Sequence, residues 1–261
     1  MGMPNAGAAL MTLRRIQQLL VHVLNWVRNQ ENALLIAVAT ISLGIWAFGA
    51  LASEVMEGET MAFDREILQA LRDPKDPTDP IGPPVVAEAM RDLTALGSIT
   101  VVFLLTAIIS VFLGLQGQKR LALLICAAVS GGSAFSSILK EVFQRSRPDL
   151  VPPWITVYSS SFPSGHAMVS ATAYLTLGAL FARSVKQKPL KGYVLGVAII
   201  LTVLVGISRV YLGVHWPTDV LAGWTAGSVW AILCSNVAKR LQQQGQIEPE
   251  SEPPVRDVPL R

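Results

Sequence analysis

The chain alternates long apolar runs with short polar segments. Six stretches, 33–52, 99–115, 121–139, 167–182, 193–212 and 218–236, carry almost no charge and approach the length of about 20 residues that a helix needs to cross a bilayer. Buried helices of a soluble protein seldom recur at this length and apolarity, so the bilayer is the expected solvent. The pattern predicts an all-α, polytopic membrane protein: a six-transmembrane-helix bundle with in-plane amphipathic helices.

The remaining segments divide the chain further. Leu13, Ile16, Leu20, Val23 and Val27 recur at helical spacing while Arg14, Arg15, Gln17, Gln18 and Arg28 lie off that stripe. This predicts an amphipathic anchor helix over 1–30, and no Ala-x-Ala-like site follows to suggest a cleaved leader. The membrane domain is expected over 31–240. Within it, 53–98 reads as an outer loop holding a short helix over 63–72, with Phe63, Ile67, Leu68 and Leu71 on one side. Five prolines between 73 and 84 predict a rigid exposed loop after it. Residues 241–261 are polar, acidic and proline-containing, which predicts a disordered tail. Gly192 with Gly196, and Gly223 with Gly227, are expected to let helices approach closely.

Composition agrees with the pattern: 51% of residues are hydrophobic against 15% charged, and the mean hydropathy is +0.46. A water-soluble domain of ordinary composition is excluded. Cys126 and Cys234 both fall inside apolar runs and read as small packing residues. The net charge of +3 does not point to a nucleic-acid partner, because Lys and Arg gather in short segments between or beside the runs. With the N-terminus cytoplasmic, thirteen of the 21 fall inside and eight outside. Both termini are therefore expected inside, and the short basic connections 116–120 and 184–191 carry most of that signal.

Charges at the margins of membrane spans are costly unless partnered or functional, and here they converge. Lys140, Arg145 and Arg147 follow the third run, His166 opens the fourth, Arg209 lies near the end of the fifth, and His215 and Asp219 border the sixth. The third-to-fourth and fifth-to-sixth connections must share one face, so one site can hold all of them. Cations and imidazoles around one small volume attract an oxyanion and repel a divalent metal, which makes phosphate the candidate ligand. A metal held by His166, His215 and Asp219 is the disfavoured alternative. Pro163-Ser164-Gly165-His166 has the form of a helix N-terminus, whose free N–H groups bind anions, with Gly165 allowing close approach. In His215-Trp216-Pro217-Thr218-Asp219, proline at the first helical position and an acid in the first turn predict another helix start. From there Asp219 can reach back and fix the His215 tautomer.

Jointly, Lys140 through Arg147-Pro148, Pro163-Ser164-Gly165-His166, and Ser208-Arg209 through His215 to Asp219 resemble the three signatures of the type-2 phosphatidic acid phosphatase superfamily of membrane lipid phosphatases. The motifs span 140–219, and the pattern of runs extends the similarity to about 99–236. The resemblance implies His215 as nucleophile, Asp219 as its orienting partner and His166 as the acid that protonates the departing alkoxide. Lys140, Arg147, Ser164, Gly165 and Arg209 would hold the phosphoryl oxygens. Arg145 falls off the signature and reads as a surface or headgroup contact. The expected activity is metal-independent hydrolysis of a phosphomonoester or diphosphate on a membrane lipid through a phosphohistidine, with no cofactor and the site on the outer face of a cell membrane. Phosphatidate, phosphatidylglycerol phosphate, isoprenyl diphosphates and lipid A phosphates all fit as substrates. A lipid phosphotransferase using the same intermediate is the alternative; a vanadate-dependent haloperoxidase or a transporter fits less well. The sequence indicates no oligomeric state and no motif in the first 90 residues.

Overall fold

The computed structural model describes residues 34–149 and 160–247. The predicted anchor helix and the tail beyond Ile247 lie outside the described residues. The chain divides into two compact units, 1–43 and 44–261, and every signature residue belongs to the second.

The described residues form helices and no strand. They are α1 (Leu34–Glu57), α2 (Met61–Ala70), α3 (Pro84–Ala95), α4 (Ile99–Leu115), α5 (Lys119–Phe143), α6 (Gly165–Ser184), α7 (Lys188–Tyr211) and α8 (Pro217–Gln243). The all-α polytopic expectation holds. By length and apolarity five of these helices, α1, α5, α6, α7 and α8, can each cross a membrane, and a sixth crossing arises only if α3 and α4 are taken as one span bent by 50°. The expected run 99–115 forms as α4, but its 17 residues reach about 26 Å, less than a hydrocarbon core of about 30 Å, so α4 falls short of a full crossing by itself. The sequence pattern did not reveal α3, whose Pro84 occupies the first helical position. Its apolar residues are interrupted by Glu88, Arg91 and Asp92, which hid it within a loop.

The centre of the second unit is α6. It is the least hydropathic span and the most buried, because its neighbours are α8, α7, α5 and α4 and it needs few side chains that dissolve in lipid. Most of its buried positions are small, among them Ala167, Ser170, Ala171, Thr172, Ala173, Thr176 and Gly178. The outer helices keep large apolar residues exposed instead, such as Leu104, Ile108 and Phe112 on α4 and Ile199, Ile200 and Ile207 on α7.

Of the two glycine pairs, one behaves as expected. A Cβ on Gly223 would lie 2.7 Å from Ser164 O, and one on Gly227 would lie 2.6 Å from Met168 O, so α8 rests its backbone against α6. The Gly192 and Gly196 expectation is not met among the described residues: a Cβ at either meets nothing within 4 Å, because no described helix packs against that face of α7. The predicted short helix before the proline loop forms as α2, but its docked side is different from the predicted stripe. Asp64 and Leu68 are fully buried whereas Phe63 is 50% exposed. At the other end, α8 extends to Gln243, past the expected tail boundary at 241. The chain then folds back, so that Ile247 joins a cluster with Leu121, Ile125, Leu180 and Ala238.

Candidate active site

α5 ends at Phe143, α6 begins at Gly165, α7 ends at Tyr211 and α8 begins at Pro217. All four therefore present these termini at the same end, and the site is built there. After α5, Gln144 takes a left-handed conformation with φ 43°, a turn that commonly closes a helix. It redirects the chain so that Arg145 and Arg147 run across the helix ends, where Ser161 N donates to Arg145 O at 2.8 Å.

His215 sits in the short connection between α7 and α8 with 1% of its surface exposed. Its Nδ1 lies 3.3 Å from Asp219 Oδ2, and its Nε2 lies 3.3 Å from Arg147 Nη1. A proton on Nδ1, donated to the carboxylate, leaves the Nε2 lone pair facing the cations. Burial pushes the imidazole down to about 3, against the raising effect of its hydrogen bond to Asp219, so the ring is neutral at pH 7. Asp219 also accepts from Trp216 N at 2.9 Å, from Ser161 Oγ and from Arg145 Nη1 at 2.7 Å. As expected from the sequence, α8 starts at Pro217 with this acid in its first turn.

At the N-terminus of α6, Ser164 occupies the cap position without capping: its hydroxyl is buried and finds no partner among the described residues. Its backbone is fixed instead by Ser164 N donating to Asp219 O at 2.9 Å. A Cβ on Gly165 would come within 3.3 Å of Lys140 Cε, so the glycine leaves room for the lysine beside the helix end. Lys140 Nζ donates to Ser160 O at 2.6 Å. The electrostatic influence of Arg209, His215, Lys140 and Arg147 on His166 agrees with these residues gathering at one end of the helices. Arg147 Nη1 is held by Val214 O at 2.9 Å. Among the described residues no three His, Cys, Asp or Glu side chains gather in a way that could hold a metal ion.

Three parts of the site were not legible in the sequence. Arg145 is no surface contact; its side chain is 7% exposed and bridges Asp219 and Asp64 at 2.7 Å each, with its guanidinium 5.7 Å over the Trp216 ring. Asp64 comes from α2 and Thr94 from α3, both well before the first signature at Lys140. Thr94 Oγ1 accepts from Arg209 Nη1 at 3.0 Å. The one signal for Asp64 was an acid one helical turn before Leu68, in line with an apolar side.

The PAP2 superfamily model matches residues 120–243. Phosphatidylglycerophosphatase B of Bacillus subtilis strain 168 is 34% identical over 166 residues, covering 61% of this chain and 79% of that protein. The chain belongs to the PAP2 superfamily. It is a PAP2 membrane lipid phosphatase, a hydrolase of phosphoric ester bonds, as its resemblance implied. A second relative, the undecaprenyl-diphosphatase of Sulfolobus acidocaldarius, is 47% identical over 79 residues, 30% of this chain and 33% of that protein. The crystal structure of a transmembrane PAP2 type phosphatidylglycerolphosphate phosphatase from Bacillus subtilis superposes with a TM-score of 0.67 at 29% identity. It covers 77% of this chain and 97% of that one.

Proposed function

We propose that this PAP2 protein hydrolyses a phosphomonoester or diphosphate on a membrane lipid by way of a phosphohistidine on His215. The observation that carries the reading is the His215 ring itself, with one nitrogen turned to Asp219 and the other to Arg147. His215 Nε2 attacks phosphorus in line, forming an N–P bond as the ester P–O bond breaks. His166, which takes up a proton when the anionic phosphate group lies beside it, gives that proton to the departing oxygen. Water then attacks the phosphohistidine, loses a proton to His166, and the N–P bond breaks to release inorganic phosphate. Phosphoryl transfer asks the protein mainly for position and charge. Lys140, Arg147 and Arg209 supply charge that a metal would otherwise bring, and the Ser164 hydroxyl with the N–H groups of Gly165 and His166 offers neutral donors.

The opposite ends of these helices carry the short basic connections around 116–120 and 184–191. The positive-inside rule therefore supports a cytoplasmic position for that end, cytoplasmic termini, and an active site on the outer face. A site at span ends suits a headgroup whose tail stays in the bilayer. The names of the relatives favour phosphatidylglycerol phosphate and isoprenyl diphosphates as first substrates to try.

The test is phosphate release by the purified protein in detergent, with EDTA, across a panel of lipid phosphates. The wild-type protein is expected to retain full activity with EDTA, and His215→Ala to lose all turnover. Normal release by His215→Ala, or loss of wild-type activity in EDTA, would refute this mechanism.

A further inference from the structure

Behind His215 stands a buried chain of alternating charge. Arg145 Nη1 lies 2.7 Å from Asp219 Oδ1 and its Nη2 lies 2.7 Å from Asp64 Oδ2, and neither acid has any exposed side-chain surface. Asp64 is itself fixed by α8: Thr218 N donates to its Oδ1 at 3.0 Å and Thr218 Oγ1 to its Oδ2 at 2.6 Å. Two carboxylates and one guanidinium leave one negative charge. Without Asp64, Arg145 and Asp219 would cancel, and His215 would be backed by a neutral pair.

That difference matters because of what faces the ring. Arg147, from the connection after α5, faces the ring's Nε2 at 3.3 Å, and Asp219 from α8 faces its Nδ1 at 3.3 Å; the charge of Arg209 from α7 bears on the ring as well. When Nε2 bonds to phosphorus the ring becomes cationic, and its Nδ1–H needs a carboxylate whose charge is not already spent. Charges this well buried are poorly screened by water, so a unit charge a few ångströms behind the ring is felt there.

Resting on the phosphohistidine mechanism, we infer that Asp64 is a positioning residue of the reaction. It aims Arg145 and offsets its charge, so that Asp219 keeps a full negative charge for His215 in the transition state. The outer helix α2 is thereby part of the catalytic apparatus even though it touches no substrate.

Vanadate forms a bond from vanadium to a histidine nitrogen, whereas inorganic phosphate binds only as an anion, so the pair separates this role from packing. Asp64→Asn is expected to lower kcat by on the order of tenfold to a hundredfold and to raise the vanadate inhibition constant by a similar factor. KM and the phosphate inhibition constant should stay within about twofold. Asp64→Glu, which keeps the charge, should recover most of the loss. Asp64→Asn with Arg145→Gln again leaves one negative charge behind the ring, so it should be more active than Asp64→Asn alone. If the single variant does not accumulate, the double variant still decides: kcat within about tenfold of wild type supports the inference, and a hundredfold loss overturns it. Equal weakening of vanadate and phosphate, or a double variant no better than the single, also overturns it. Turnover retained in His215→Ala sinks the nucleophile reading and this inference together. Turnover lost there, with Asp64→Asn indistinguishable from wild type, sinks this inference alone.

Discussion

Ser164 stands at the cap of α6, yet its buried hydroxyl bonds to nothing among the described residues. An unpaired buried hydroxyl costs stability, which fits the proposed role of Ser164 in meeting the substrate's phosphate. Ser164→Ala is therefore expected to leave the thermal midpoint in detergent unchanged or slightly raised, while kcat falls by roughly tenfold. Arg147→Ala should cost more, on the order of a hundredfold to a thousandfold, because it removes a preorganised cation. A drop in the midpoint of Ser164→Ala with unchanged kcat would assign the hydroxyl to folding instead. At this scale the sequence singled out His166, Lys140, Arg209, His215 and Asp219 as candidates, because charged and imidazole side chains beside apolar runs stand out. It misassigned Arg145: only the left-handed turn at Gln144 carries that arginine inward, and spacing alone does not reveal such a turn.

Helices meet at this site through their backbones. Gly97, in the corner between α3 and α4, has room for no Cβ: one would fall 2.3 Å from Val205 Cγ1 and 3.1 Å from His166 O. The same corner is pinned by Tyr174 Oη donating to Leu96 O at 2.6 Å. Between α6 and α8 the Gly227 contact does similar work, and the two helices carry His166 and Asp219 at their N-terminal ends. Gly227→Val should push them apart, costing about 1–3 kcal/mol. The expected readouts are a lower thermal midpoint in detergent and a lower kcat. Gly192→Ala, in open space on α7, should be neutral or stabilising by a few tenths of a kcal/mol, since alanine is the better helix former. A midpoint for Gly227→Val equal to that of Gly192→Ala would refute the close-packing account. Helical glycines with four-residue spacing look alike in sequence; which pair is used depends on which face of the helix is covered.

For the whole molecule, pH dependence follows from His215. Its folded-state value lies well below the ordinary histidine value because burial disfavours the cation. A histidine depressed in this way binds a proton more readily when the protein unfolds. Its contribution is intact above about pH 6.5 and is lost as pH falls toward the folded value. The thermal midpoint in detergent should thus decline between roughly pH 6.5 and pH 4, and His215→Gln should flatten part of that decline. An identical slope in the variant would show that other groups dominate acid unfolding. Near neutrality the depressed value keeps Nε2 unprotonated, so protonation of the proposed nucleophile should not limit turnover there.

Hydropathy by itself determined that the chain lives in a membrane and is all-helical, since no soluble fold can hide so many uncharged runs. The signatures gather at one end of the spans, where the proposed phosphate chemistry would take place, because connections between consecutive spans alternate in side. Tertiary structure alone decided that α3 joins α4 as a bent pair, that α2 turns Asp64 inward, and that Arg145 links it to Asp219. Each of these depends on which surfaces face one another across distant parts of the chain. A local pattern of polar and apolar residues carries no record of that: an acid buried against an arginine is written with the same letter as an acid in water.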